Sequence, residues 1–115
     1  MTLDTHHGDT HHRTWVGMFD QPNFGEYPVM LSMRDNIRVD YPSLLCGGFL
    51  QVEKIEDGTA YLREQITYGR MTCLDGVQVQ LSKQRDRLRF VVVLPDGSPG
   101  GEGLLTPVPP PEPAV

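Results

Sequence analysis

Apolar and polar residues alternate with period two along most of this chain. Trp15, Gly17 and Phe19 alternate with Val16 and Met18, and Tyr27, Val29, Leu31 and Met33 with Pro28, Met30 and Ser32. Ile37, Val39 and Tyr41 follow, then Ala60, Leu62, Glu64 and Ile66, then Val77, Val79 and Leu81, then Leu88, Phe90, Val92 and Leu94. Successive side chains of an extended strand point to opposite sides, so this period marks half-buried strands. No segment carries the i, i+3, i+4, i+7 stripe of an amphipathic helix over three turns.

Polar turn residues punctuate the runs: Arg34-Asp35-Asn36, Asp57-Gly58, Asp75-Gly76, Gln84-Arg85-Asp86 and Asp96-Gly97. Asp-Gly favours tight hairpins because both residues tolerate positive φ. Runs and turns together predict strands near 13–19, 27–33, 36–41, 48–56, 60–67, 77–83, 87–95 and 102–106. The expected fold class is all-β, an eight-stranded antiparallel up-and-down meander. Closing it into a small barrel removes both exposed edges. A two-sheet β-sandwich is the alternative for the same strands. The interior of an eight-stranded barrel is just filled by side chains, or holds one small ligand.

Two details refine this scheme. Pro28 lacks an N–H, so its position should face an unpaired edge or a strand start. The apolar phase of the fourth strand changes between Val52 and Ile55, which predicts a β-bulge.

The ends depart from the pattern. Five of the ten prolines lie in the last nine residues, Pro107–Val115. Proline fixes φ and cannot donate to a ladder, so residues 107–115 are expected as a disordered, polyproline-like tail. The PxxP match at Pro107-Val108-Pro109-Pro110 is one that any proline-rich run produces. All four histidines, His6, His7, His11 and His12, lie in a polar arm over residues 1–12. Their imidazoles are candidate ligands for Zn, Ni or Cu, although the spacing fits no structural zinc pattern. Protonating all four would bring the net charge from -5 to about -1. The expected barrel domain is residues 13–106, enough for a modest core that buries roughly 60–65% of the unfolded surface.

Composition narrows the function classes. A net charge of -5 argues against nucleic acid, which a basic face usually recognises. No run of about 18 apolar residues is present to span a membrane as a helix. The N-terminus lacks the basic start and apolar core of a secretory signal, so the expected location is cytoplasmic, or periplasmic or secreted if a signal has been removed.

Candidate chemistry is sparse. Glu64 is in phase with inward-facing Ala60, Leu62 and Ile66, so it is expected inside, either orienting a ligand or paired near the rim. Tyr41 and Phe90 are the other candidate ligand contacts. Tyr41, Ser43, Leu44, Tyr68 and Arg70 lie on two distinctive loops and are candidate partner contacts. Cys46 and Cys73 are expected at one rim, one strand apart, where they could approach; if paired, they close a loop of about 27 residues, worth roughly 3 kcal/mol. Free thiols are the alternative if the chain stays in a reducing compartment. No histidine falls near either cysteine or near Ser43 and Ser98, and no phosphate-binding glycine loop, His-Glu-x-x-His or Gly-x-Ser-x-Gly occurs. Trp15 is expected to plug one end of the barrel.

The succession Trp15-x-Gly17, Tyr27-Pro28-Val29, Asp40-Tyr41-Pro42-Ser43-Leu44-x-Cys46-Gly47-Gly48, Glu64-x-Ile66-x-x-Gly69 and Cys73-x-Asp75-Gly76 resembles small, mostly uncharacterised bacterial domains with a lipocalin- or avidin-like, calycin-like pattern. The resemblance covers residues 14–106. It implies a barrel and a bacterial origin, and no particular activity. In that group a second tryptophan is common near the seventh strand, where this chain has Val91-Val92-Val93.

The expected function is therefore a non-enzymatic module that binds a small apolar ligand. The alternatives are a protein-interaction or inhibitor domain acting through the rim loops, and a metal-binding protein using the histidine arm.

Overall fold

Closure comes from the first and last strands. In the computed structural model, which describes residues 14–108, eight strands form a closed antiparallel barrel in chain order. They are β1 (Thr14–Gln21), β2 (Gly25–Met33), β3 (Ile37–Tyr41), β4 (Cys46–Glu56), β5 (Thr59–Tyr68), β6 (Gln78–Gln84), β7 (Arg87–Val93) and β8 (Pro99–Val108). β1 pairs with β8 from Thr14↔Val108 to Asp20↔Glu102, so neither strand is left as an edge. The barrel, not the sandwich, is the arrangement adopted.

Alternation places the core as expected. Leu31, Val39, Leu62, Val79, Leu81, Leu88, Phe90 and Leu105 are fully buried and fill the barrel over most of its length. Trp15 sits near the start of β1, opposite Leu31 and Pro107, and is buried at that end. The Lys83 ammonium lies 4.9 Å from its ring centroid, a cation–π arrangement.

The turns follow their residues. Asp57 and Gly58 both take positive φ, 51° and 79°, as a two-residue primed turn between Glu56 and Thr59 requires. Asp75-Gly76 behaves differently. It belongs to a longer β5–β6 connection in which the Gly76 N–H donates to Glu64 O and the Glu64 N–H to Val77 O, both at 3.0 Å. The expected bulge in β4 is present, with a register shift between Val52 and Lys54. Pro28 pairs with Met18 on β1, beyond the end of the β2–β3 ladder, where a missing N–H costs nothing.

The last strand is longer than expected at both ends. β8 begins at Pro99, in a glycine-rich stretch that carries no apolar signal: Gly101 and Gly103 lie close against β1, and Gly100 against Val92 and Leu94. It continues through Pro107 and Val108, two residues assigned from sequence to the tail. Its ladder with β7 ends at Leu105, so Pro107 has a strand neighbour on one side only, the position where proline is tolerated. Residues 109–115, and residues 1–13, which include the arm, lie outside the described part.

Candidate functional site

One end of the barrel stays open. There β1, β3, β5 and β7 end and β2, β4, β6 and β8 begin. A cavity of about 320 Å³ occupies this mouth. Such a volume is at the small end of ligand pockets, which run from about 300 to 1,000 Å³. Phe19, Val77, Val92, Leu94, Leu44 and Leu74 give it an apolar wall, and Gln21, Tyr27, Tyr41, Glu64 and Thr72 supply polar groups.

Glu64 is the polar centre. It is 3% exposed, held there by its inward phase on β5 and by the backbone pairing that clamps it to Gly76 and Val77. The Tyr41 hydroxyl, at the end of β3, donates to Glu64 Oε2 at 2.6 Å. Burial lifts the Glu64 carboxyl to about 7; the Tyr41 hydrogen bond opposes this, and the charge of Asp75 adds to the rise. Burial and the same carboxylate raise the Tyr41 hydroxyl well above its ordinary range and Tyr27 to about 12. The Tyr27 hydroxyl donates to Gln21 Oε1 at 2.6 Å. Phe19, Tyr27 and Tyr41 line the cavity in succession, with ring centroids 5.4 and 6.0 Å apart.

A disulfide braces the wall. Cys46, at the start of β4, is bonded to Cys73 in the β5–β6 connection, with Cα atoms 6.3 Å apart. Cys73 itself lines the cavity. Thr72 Oγ1 donates to Leu44 O at 2.9 Å and ties the same connection to the 3-10 turn Pro42–Leu44. Asp75 Oδ1 accepts the Ile66 N–H at 2.9 Å.

The sequence-predicted residues divide. Glu64 and Tyr41 meet in the cavity, with Leu44 at its side. Phe90 does not line the cavity; it is fully buried below, packed edge-on against Phe19 at 5.8 Å. Tyr41 is buried, so its surface is turned to the cavity rather than to a partner. Ser43 is exposed on the 3-10 turn. Tyr68 lies on the outside, donating to Asp40 Oδ1 at 2.5 Å beside the Arg38–Asp40 ion pair. Arg70 donates to Ile66 O at 2.9 Å. His6, His7, His11 and His12 fall outside the described residues. Among the described residues, no group of three or more His, Cys, Asp or Glu side chains is placed to hold a metal ion, and no helix is long and apolar enough to cross a membrane.

The lining residues that sequence did not single out include Phe19, Gln21 and Tyr27. Phe19 and Tyr27 share the inward phase of their strands, which marks them as interior but not as lying at the open end. Gln21 ends β1, where alternation fades into the turn. Comparison with protein-family models, curated proteins and solved structures finds no match.

Proposed function

We propose that this chain is a non-enzymatic, lipocalin-like binding module of bacterial origin. It holds a small, largely apolar ligand in the mouth cavity, and Glu64 with Tyr41 orients the ligand's polar end. The observation that carries this reading is the buried Glu64–Tyr41 pair set in an otherwise largely apolar wall. A few convergent polar groups in an apolar cavity are the usual composition of a ligand site. The Cys46–Cys73 disulfide supports the periplasmic or secreted alternative over the cytoplasm, where thiols are kept reduced.

The test is an NMR titration with toluene and 2-phenylethanol. The methyls of Val77, Val92 and Leu94 are expected to shift, and Leu94→Trp, which fills the cavity, is expected to abolish the shifts. Shifts that persist in Leu94→Trp would place binding elsewhere.

The rim favours a second reading, a protein-interaction or inhibitor domain. Phe24, Leu45, Met71 and Leu74 are 62, 78, 101 and 58% exposed on mouth-end connections. Leu45 holds φ 55°, a left-handed conformation that costs a leucine about 1–2 kcal/mol. Partner capture lost in both Leu45→Ser and Met71→Ser supports a rim interface; capture that survives both counts against it.

A further inference from the structure

The mouth cavity has an unbalanced charge. Glu64 is the one charged side chain buried among the described residues. A buried carboxylate ordinarily needs a cation or several hydrogen bonds. Among the described residues, no lysine, arginine or histidine lines the cavity. Arg63, its neighbour in the chain, turns outward to Glu53 and Gly76 O. Among the described residues, Tyr41 makes the one side-chain hydrogen bond to the carboxylate, on Oε2. Oε1 accepts no hydrogen bond from the described residues. Glu64 lines the cavity, which leaves Oε1 as the carboxylate oxygen available to a ligand there.

Among the described residues, the groups that act on Glu64 are all neutral or negative. Tyr41 comes from β3, Tyr27 from β2 and Asp75 from the β5–β6 connection. A carboxylate or phosphate ligand would meet uncompensated like charge, whereas a cation would supply the missing partner. Phe19, Tyr27 and Tyr41 add three aromatic rings to the same wall, and aromatic rings attract cations.

We propose that the cavity's ligand is a small organic amine, bound as its ammonium ion against Glu64 Oε1, with its apolar body against Phe19, Val77 and Leu94. This rests on the cavity being a ligand site. Where Glu64 is protonated in the free protein, binding of the ammonium releases that proton to solvent and leaves an ammonium–carboxylate pair. Affinity therefore rises with pH up to about 7, where the free carboxyl titrates, and then levels.

Calorimetry on the full, disulfide-bonded chain at pH 8 tests this with three probes of similar size: 2-phenylethylammonium, 2-phenylethanol and 3-phenylpropanoate. The ammonium ion is expected to bind at least tenfold tighter than the alcohol, with the carboxylate weakest. Glu64→Gln is expected to remove that advantage, bringing the ammonium's affinity to within about threefold of the alcohol's in the same variant. Wild-type protein at pH 6, compared across buffers of different ionisation enthalpy, is expected to release close to one proton per ammonium bound, a readout independent of the variant's folding. An alcohol that binds as well as the ammonium overturns the amine and leaves the cavity reading standing. So does an ammonium affinity untouched by Glu64→Gln, or the absence of proton release. Binding of none of the three overturns both.

Discussion

The Tyr41 hydroxyl donates a 2.6 Å hydrogen bond to Glu64 Oε2, joining the end of β3 to β5 inside the barrel across 23 residues of chain. The bond stabilises the ionised carboxyl, because it is given to the charged form. Tyr41→Phe removes the donor and leaves the ring in place. The variant is expected to titrate Glu64 above the wild-type value of about 7. It is also expected to lose about 1.5–3 kcal/mol of stability above that pH, the usual worth of a hydrogen bond to a charged group. Urea unfolding at pH 8.5 measures the loss.

Glu64 also makes stability depend on pH. Its folded pKa, about 7, is raised above the ordinary value of 4.5. The native state thus holds this proton more tightly than the unfolded chain does. The contribution is fully present below about pH 4.5 and is lost as pH rises through about 7. The amount is about 3 kcal/mol, at 1.36 kcal/mol per pKa unit. Glu64→Gln carries no titrating proton and still offers an acceptor to Tyr41. It is expected to match wild type near pH 4.5 and to exceed it by about 3 kcal/mol at pH 8. Paired urea titrations at the two pH values check the difference; equal gaps at both would contradict it.

The disulfide ties the β5–β6 connection to the start of β4 across 27 residues. In the chain-entropy treatment, a loop of that length contributes roughly 3 kcal/mol by restricting the unfolded chain. Cys46→Ala/Cys73→Ala is expected to lose about that much, measured by thermal unfolding without reductant. Reductant is expected to lower the wild-type Tm toward that of the double variant and to leave the variant unchanged.

The strand plan was legible because one side of each strand faces a packed interior. The period-two runs marked Trp15, Leu31, Val39, Leu62, Leu81 and Phe90 as inward, and all are buried. The same phase placed Glu64 inside, and strand order put Cys46 and Cys73 at one end. What alternation cannot encode is depth along the barrel. Phe19 and Phe90 share an inward phase, yet only Phe19 reaches the cavity, because it is near the end of β1 and Phe90 lies mid-strand in β7. The start of β8 was hidden for another reason. Gly101 and Gly103 serve backbone approach to β1, a requirement without an apolar signature.

Gly101 shows that requirement most clearly. Its φ is +129°, and a Cβ there would lie 2.5 Å from Phe19 Cζ and from Asp20 O. Gly101→Ala must strain the backbone and displace the Phe19 ring from the cavity floor. The expected cost is about 3 kcal/mol or more. In protein that remains folded, the affinity for 2-phenylethanol should fall with it. A folded Gly101→Ala that binds the alcohol at wild-type affinity would remove Phe19 from the site.

The titration of the Glu64 side-chain carboxyl by carbon-detected NMR, with and without saturating 2-phenylethylammonium, tests most directly whether the mouth cavity is a ligand site centred on this residue. The expected midpoint in the free protein is about 7. With the ammonium ion bound it moves down, as the Val77 and Val92 methyls shift. A midpoint near 4.5 in both conditions, with those methyls unmoved, would contradict the account.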